Sequence, residues 1–116
     1  MKQKRIAELY RFLSIASMKR MSDEEKVAFI RLLRSMKPLW QELQTAVDDA
    51  LAKARQETDD PAAISNIVNQ SVEDIAEREC AVILATMSED AFERLCLSND
   101  WNFAQIEELH EELVTK

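Results

Sequence analysis

Apolar residues recur along most of this chain at intervals of three and four, the period of one face of a helix. Ile6, Leu9, Tyr10, Leu13 and Ala16 form the first stripe, and Phe12, Ile15 and Met18 widen it. The pattern predicts a helix from Lys4 to Arg20 that is contacted on more than one side. Ser22 and Glu25 then stand three apart, the spacing of a capping box, ahead of Val27, Phe29, Ile30, Leu32, Leu33 and Met36. Pro38 predicts a break or kink between Ser35 and Lys37, because proline suits the first turn of a new helix. From there to Gln56, Leu39, Trp40, Leu43, Ala46, Val47, Ala50, Leu51 and Ala54 share one face.

Asp60-Pro61 reads as an N-cap followed by the first helical position. The next stripe is Ile64, Ile67, Val68, Val72, Ile75 and Ala76, and it leads into the apolar run from Cys80 to Met87. A short strand competes for that run, but the helical period enters it without a turn signal, which predicts a buried helical segment. Ser88 restarts the chain for a short helix carrying Ala91, Phe92, Leu95 and Cys96. Ser98-Asn99-Asp100 is expected to end that helix and cap the last one, which places Phe103, Ile106, Leu109, Leu113 and Val114 on one stripe.

Composition sharpens the class. Among 116 residues there is no glycine and there are two prolines. Tight hairpins and phosphate-binding turns both want glycine, so strand-rich and nucleotide-loop folds are disfavoured. The expectation is an all-α fold, a single compact antiparallel bundle of five to six helices with short connections, spanning residues 1–116 as one domain. No apolar stretch approaches the roughly 20 residues needed to span a bilayer. Arg11, Lys19 and Arg20 interrupt anything resembling a secretory signal, so a cytoplasmic location without membrane contact is expected. Cys80 and Cys96 then read as reduced, small buried hydrophobes.

Charge divides the chain unequally. The net charge is −7, yet residues 1–37 sum to +6 and residues 38–116 to −13. A basic helical hairpin therefore precedes acidic helices. The two can neutralise each other within one fold. Alternatively, the basic hairpin binds a polyanion through residues such as Arg31 and Arg34, with Tyr10 and Phe12 as stacking candidates. Or the acidic end, with Glu107, Glu108, Glu111 and Glu112, docks a basic surface.

Self-contained catalytic motifs are lacking. Glu107-x-x-His110 has the spacing of a carboxylate-bridged dimetal bundle, but one copy gives half a site, so only a symmetric dimer completes it. Glu107 and His110 are the metal candidates on that basis. Two cysteines and one histidine fall short of a structural zinc site. Walker and dinucleotide loops both require glycine. No cofactor is expected. Helix one, helix two and the run at 80–87 carry more apolar surface than a small bundle buries, which predicts an exposed apolar patch for a partner or for self-association. Trp40 and Trp101 are the aromatic anchor candidates.

The favoured reading is a non-enzymatic helical protein–protein interaction module, an adaptor, inhibitor or assembly factor that self-associates, with a homodimer expected. Its partner-binding candidates are Trp40, Trp101, Arg31, Arg34, Glu108, Glu111 and Glu112. The alternative is a nucleic-acid-associated protein using the basic hairpin. A third reading is a metal-dependent enzyme assembled across a dimer.

Overall fold

A computed structural model describes residues 1–80 and 87–114. Among them are five helices and no strand: α1 Gln3–Ser14, α2 Asp23–Glu57, α3 Pro61–Ala76, α4 Glu89–Leu97 and α5 Phe103–Leu113. The fold is all-α, as the apolar periodicity predicts.

Helix α2 corrects the expectation of a break at Pro38. It runs for 35 residues with Pro38 inside it. An interior proline withholds the N–H that the Arg34 carbonyl would accept and costs about 3 kcal/mol. The apolar period explains why the helix survives. Phe29, Leu32, Met36, Leu43, Val47, Ala50 and Ala54 keep one phase across the proline, and five of the seven are buried. Pro38 itself is exposed, away from that stripe. Helices two and three of the sequence reading are thus one helix.

The residues fall into two compact units, one of Met1–Tyr10 with Met36–Ala81, the other of Arg11–Ser35 with Val82–Lys116. The first unit has Ile6, Ala7, Leu9, Met36, Ala50, Ala54 and Val72 as its core. Asp60 caps α3 as expected, its side chain accepting from the Ala62 N–H, with Pro61 at the start. The helix stops at Ala76, short of the expected run into Cys80. Glu77 closes it, and the chain turns extended. The Gln3 N–H donates to the Arg78 carbonyl and the Cys80 N–H to the Met1 carbonyl, both at 2.9 Å, around a bridge between Lys2 and Glu79. Backbone groups at 78–80 therefore find partners at residues 1–3 in place of the next helical turn. The expected helix over the rest of the apolar run lies on residues 81–86, outside the described residues. Gln3 is fully buried, and its Nε2 donates to the Leu39 carbonyl at 3.0 Å. Lys2 and Lys4 both grip Glu77, whose carboxyl falls to about 2, chiefly through those hydrogen bonds.

In the second unit Leu13, Met21, Phe29, Leu32, Ala91, Phe92, Leu95, Leu109, Leu113 and Val114 are buried. Here α1 ends at Ser14, short of the expected Arg20, because the following loop is claimed by the end of α4. Asn99 Oδ1 accepts from the Ser17 N–H at 2.8 Å, while its Nδ2 donates to the Ser17 and Leu95 carbonyls at 3.0 and 2.9 Å. The Arg20 N–H donates to Ser98 Oγ at 2.9 Å. The Ser98–Asp100 cluster thus closes α4 and holds the loop, while Asn102 caps α5 through a capping box with Gln105.

The predicted box at Ser22 and Glu25 is present, with bonds of 2.8 and 3.2 Å. Glu25 also takes a two-pronged bond from Arg94, Nε at 2.8 Å and Nη2 at 2.6 Å. That bond, seconded by the Ser22 N–H, lowers its carboxyl to about 2.

Asn99→Ala removes three hydrogen bonds that fasten the 15–22 loop, and should cost about 2 kcal/mol of unfolding free energy in a urea titration followed by circular dichroism. Asp100→Ala, on an exposed neighbour, should stay within about 0.5 kcal/mol. An equal effect of the two would remove the clip from the account.

The Glu25 carboxyl is depressed on folding, so its contribution is complete above its ordinary value of 4.5 and drains away as pH falls towards about 2. Glu25→Gln keeps an N3 side chain able to complete the box but removes the charge. Its melting temperature should therefore fall less than that of the parent chain across that acid window.

Candidate functional site

Among the described residues the large exposed hydrophobics are Ile15, Val27, Ile30, Leu97 and Phe103, and all five belong to the second unit. Leu97 is 68% and Phe103 77% exposed, values unusual for side chains ending or starting a buried-faced helix. Helix α4 spends its core face on Ala91, Phe92 and Leu95, and α5 on Leu109 and Leu113. Each helix is only two to three turns long, so one stripe reaches the core and the rest faces outward.

Between them lies a groove of about 400 Å³. From α4 come Phe92, Cys96 and Leu97 with Glu89 and Glu93; from α5 come Ile106 and His110. Phe103 does not line the groove itself but stands one turn before Ile106, on the same side of α5. His110 Nε2 lies 2.6 Å from Glu89 Oε1, and its ring meets Phe92 edge-on at 5.4 Å. Those two contacts hold the imidazole against the groove wall. Burial raises the Cys96 thiol above its ordinary value, so it is a poor nucleophile at neutral pH. Both cysteines are free and half-buried.

The rim is acidic. From Glu89 to Leu113 there are eight carboxylates and one cation, Arg94, which is committed to Glu25. Glu107 and Glu111 are exposed on α5 beside Ile106 and His110, one residue further round the helix. Glu108 is exposed and Glu112 half-buried on the same helix. The groove therefore offers an apolar floor under a negative field.

The metal candidates Glu107 and His110 are on α5, where His110 faces Glu89. Among the described residues no three of His, Cys, Asp and Glu form a group able to hold a metal ion. The aromatic anchor candidates are placed in separate units. Trp40 is half-buried with its ring 5.0 Å from that of Tyr10, and its Nε1 is buried without a hydrogen-bond partner among the described residues. Trp101 is half-buried 5.2 Å from Phe12. Tyr10 and Phe12, the proposed stacking residues, are thus each engaged with a tryptophan. Arg31 and Arg34 are exposed on α2, and neither enters an ion pair among the described residues. Val27 and Ile30 share their face at spacings of three and four, opposite the buried Phe29 and Leu32.

Sequence reading missed Leu97 and Phe103 as surface residues. Phe103 sits in phase with Ile106 and Leu113, and only its place at the first residue of the helix distinguishes it. No protein-family model matches the chain, and no curated protein or solved structure shows significant similarity to it. No helix among the described residues is long and apolar enough to cross a membrane.

Since Leu97 and Phe103 touch little of the core, replacing both with serine should change stability by no more than about 1 kcal/mol. Leu95→Ala, fully buried two residues away, should cost about 2–5 kcal/mol. Binding of a hydrophobic dye should fall in the double serine variant; undiminished dye fluorescence would place the apolar surface elsewhere.

Proposed function

We propose that the chain is a non-catalytic helical protein–protein interaction module, and that it engages its partner through the α4–α5 groove. The observation that carries this is the pairing of exposed Leu97 and Phe103 with an acidic rim on one short helical hairpin. An apolar floor supplies affinity by leaving water, and the carboxylates orient a basic partner and speed its approach. An amphipathic helix is the occupant such a groove fits, with apolar anchors at i, i+3 or i+4 and lysine or arginine flanking them. The phosphate-binding alternative is weakened because Lys2 and Lys4 are held by Glu77 and the two aromatics are occupied. Two free thiols fit a reducing, cytoplasmic compartment.

The test uses two synthetic amphipathic peptides of about 18 residues, five turns each, one of leucine and lysine and one of leucine and glutamate. The full-length chain should bind the lysine peptide and not the glutamate one. Binding should weaken as salt rises, protect the Cys96 thiol from alkylation in a Cys80→Ser background, and disappear in the Leu97→Lys, Phe103→Ser double variant. Equal binding of both peptides, or binding unaffected by the double variant, would sink this reading.

A further inference from the structure

The same unit that carries an acidic apolar groove also carries its complement. On α2, Val27, Ile30, Arg31 and Arg34 lie along one exposed face, 48% and 37% exposed for the two apolar members. From Val27 to Arg34 is seven residues, about 10 Å of helix, and from Phe103 to His110 is the same span. Both patches are two turns long. One mixes two aliphatic side chains with two guanidiniums that have no ion pair among the described residues; the other mixes Leu97, Phe103 and Ile106 with carboxylates. We infer that the occupant of the α4–α5 groove is a second copy of this chain, presenting the Val27–Arg34 face of α2. This rests on the docking role of the groove argued above and names its partner.

In such a contact Val27 and Ile30 lie over Leu97 and Phe103, while Arg31 and Arg34 reach the carboxylates of the rim, with Glu107 and Glu111 nearest the apolar wall. The two patches differ, so the contact is heterologous. A twofold arrangement makes it twice and closes a dimer; any other rotation passes it on to a third copy. A patch two turns long is small beside a standard interface, so a single contact is weak and closure strengthens the assembly. Exposed charge pairs are screened by salt, and raising salt to about 1 M, where the screening length is about 3 Å, should weaken association about tenfold without abolishing the apolar part.

The experiment is a complementation test by light scattering and sedimentation on the full chain. One variant, Arg31→Glu with Arg34→Glu, loses the α2 face and keeps the groove. The other, Leu97→Lys with Phe103→Ser, loses the groove and keeps the α2 face. Circular dichroism and urea midpoints matching the parent chain establish that both fold. The parent chain should associate in low salt and each variant should be monomeric alone. An equimolar mixture of the two restores one intact contact and no more, so at the highest concentration at which each variant alone stays monomeric it should recover a one-to-one pair, weaker than the parent assembly. A monomeric parent chain overturns the inference, even where the leucine–lysine peptide still fills the groove; that result leaves the groove's docking role standing and removes the second copy. A variant that stays assembled, or a mixture that stays monomeric, also overturns it. So does a monomeric parent chain that captures a labelled single-stranded oligonucleotide through Arg31 and Arg34, which would assign the α2 face to a polyanion.

Discussion

This chain has no glycine, and its described residues end their helices and turn their corners on the left side of the conformational map. No residue among those described has a positive φ. The left-handed residue that closes a large share of helices is therefore unused, and the orphan carbonyls and N–H groups at helix ends go to side chains instead. Ser22, Asp60, Ser88 and Asn102 each accept from the first turn of the helix they precede. At the other ends α3 and α4 close on right-handed residues, Glu77 and Ser98, whose N–H groups return to the last carbonyls. A side-chain cap costs no unusual backbone, but it commits a polar residue to one partner. That commitment fixes where each helix begins and how far its apolar stripe extends.

The consequences are clearest in the second unit. Asn99 follows the α4 cap and reaches Ser17 as well as Leu95, so the signal that stops α4 also keeps α1 from continuing past Ser14. Glu25, half of a capping box, is also the residue that Arg94 clasps. Local closure and long-range packing thus share the same atoms. An exposed ion pair alone contributes from nothing to about 1 kcal/mol, so apolar burial, of Phe29, Phe92 and Leu95 among others, outweighs it. The polar clips select which arrangement of those apolar faces forms. Because α4 and α5 are held short, their outer turns project Leu97 and Phe103 beyond the face that the core can cover.

Much of the fold was legible. The 3.6-residue period located the five helices of the described residues, and the chemistry of Ser22-Glu25, Asp60-Pro61 and Ser88 placed three of their starts correctly. Errors arose wherever a local rule met a long-range partner. Pro38 is a helix breaker in isolation, yet an unbroken apolar phase on both sides outweighs it. The run after Ala76 keeps a helical period, but pairing between residues 1–3 and 78–80 ends the helix first. Nothing in the local sequence reports that Asn99 reaches back to Ser17. Of the candidate site, the acidic end of the chain and the pair Arg31 and Arg34 were readable from charge alone. The apolar half of the groove was legible only in part: Leu97 lies off the Ala91, Phe92 and Leu95 stripe of its helix, whereas Phe103 fits its helix's periodicity as well as a buried residue does.

Charge asymmetry acquires a more specific meaning once the pairs are placed. Several cations of the basic stretch are spent locally: Lys2 and Lys4 on Glu77, and Arg5 on Glu8. On the acidic side Arg94 is turned towards Glu25, away from the groove rim. Within the remaining imbalance are two local surfaces, one with Arg31 and Arg34 and one with the carboxylates of α4 and α5, each with exposed apolar side chains set among its charges. A net charge of −7 makes copies of the chain repel at long range, and within a screening length of about 8 Å at physiological salt the local pattern takes over. Repulsion at a distance with complementarity at contact disfavours indiscriminate clumping while leaving one orientation of approach favourable. With five large hydrophobics exposed among the described residues, all on a single unit, that combination is what separates a selective interface from an aggregation-prone surface.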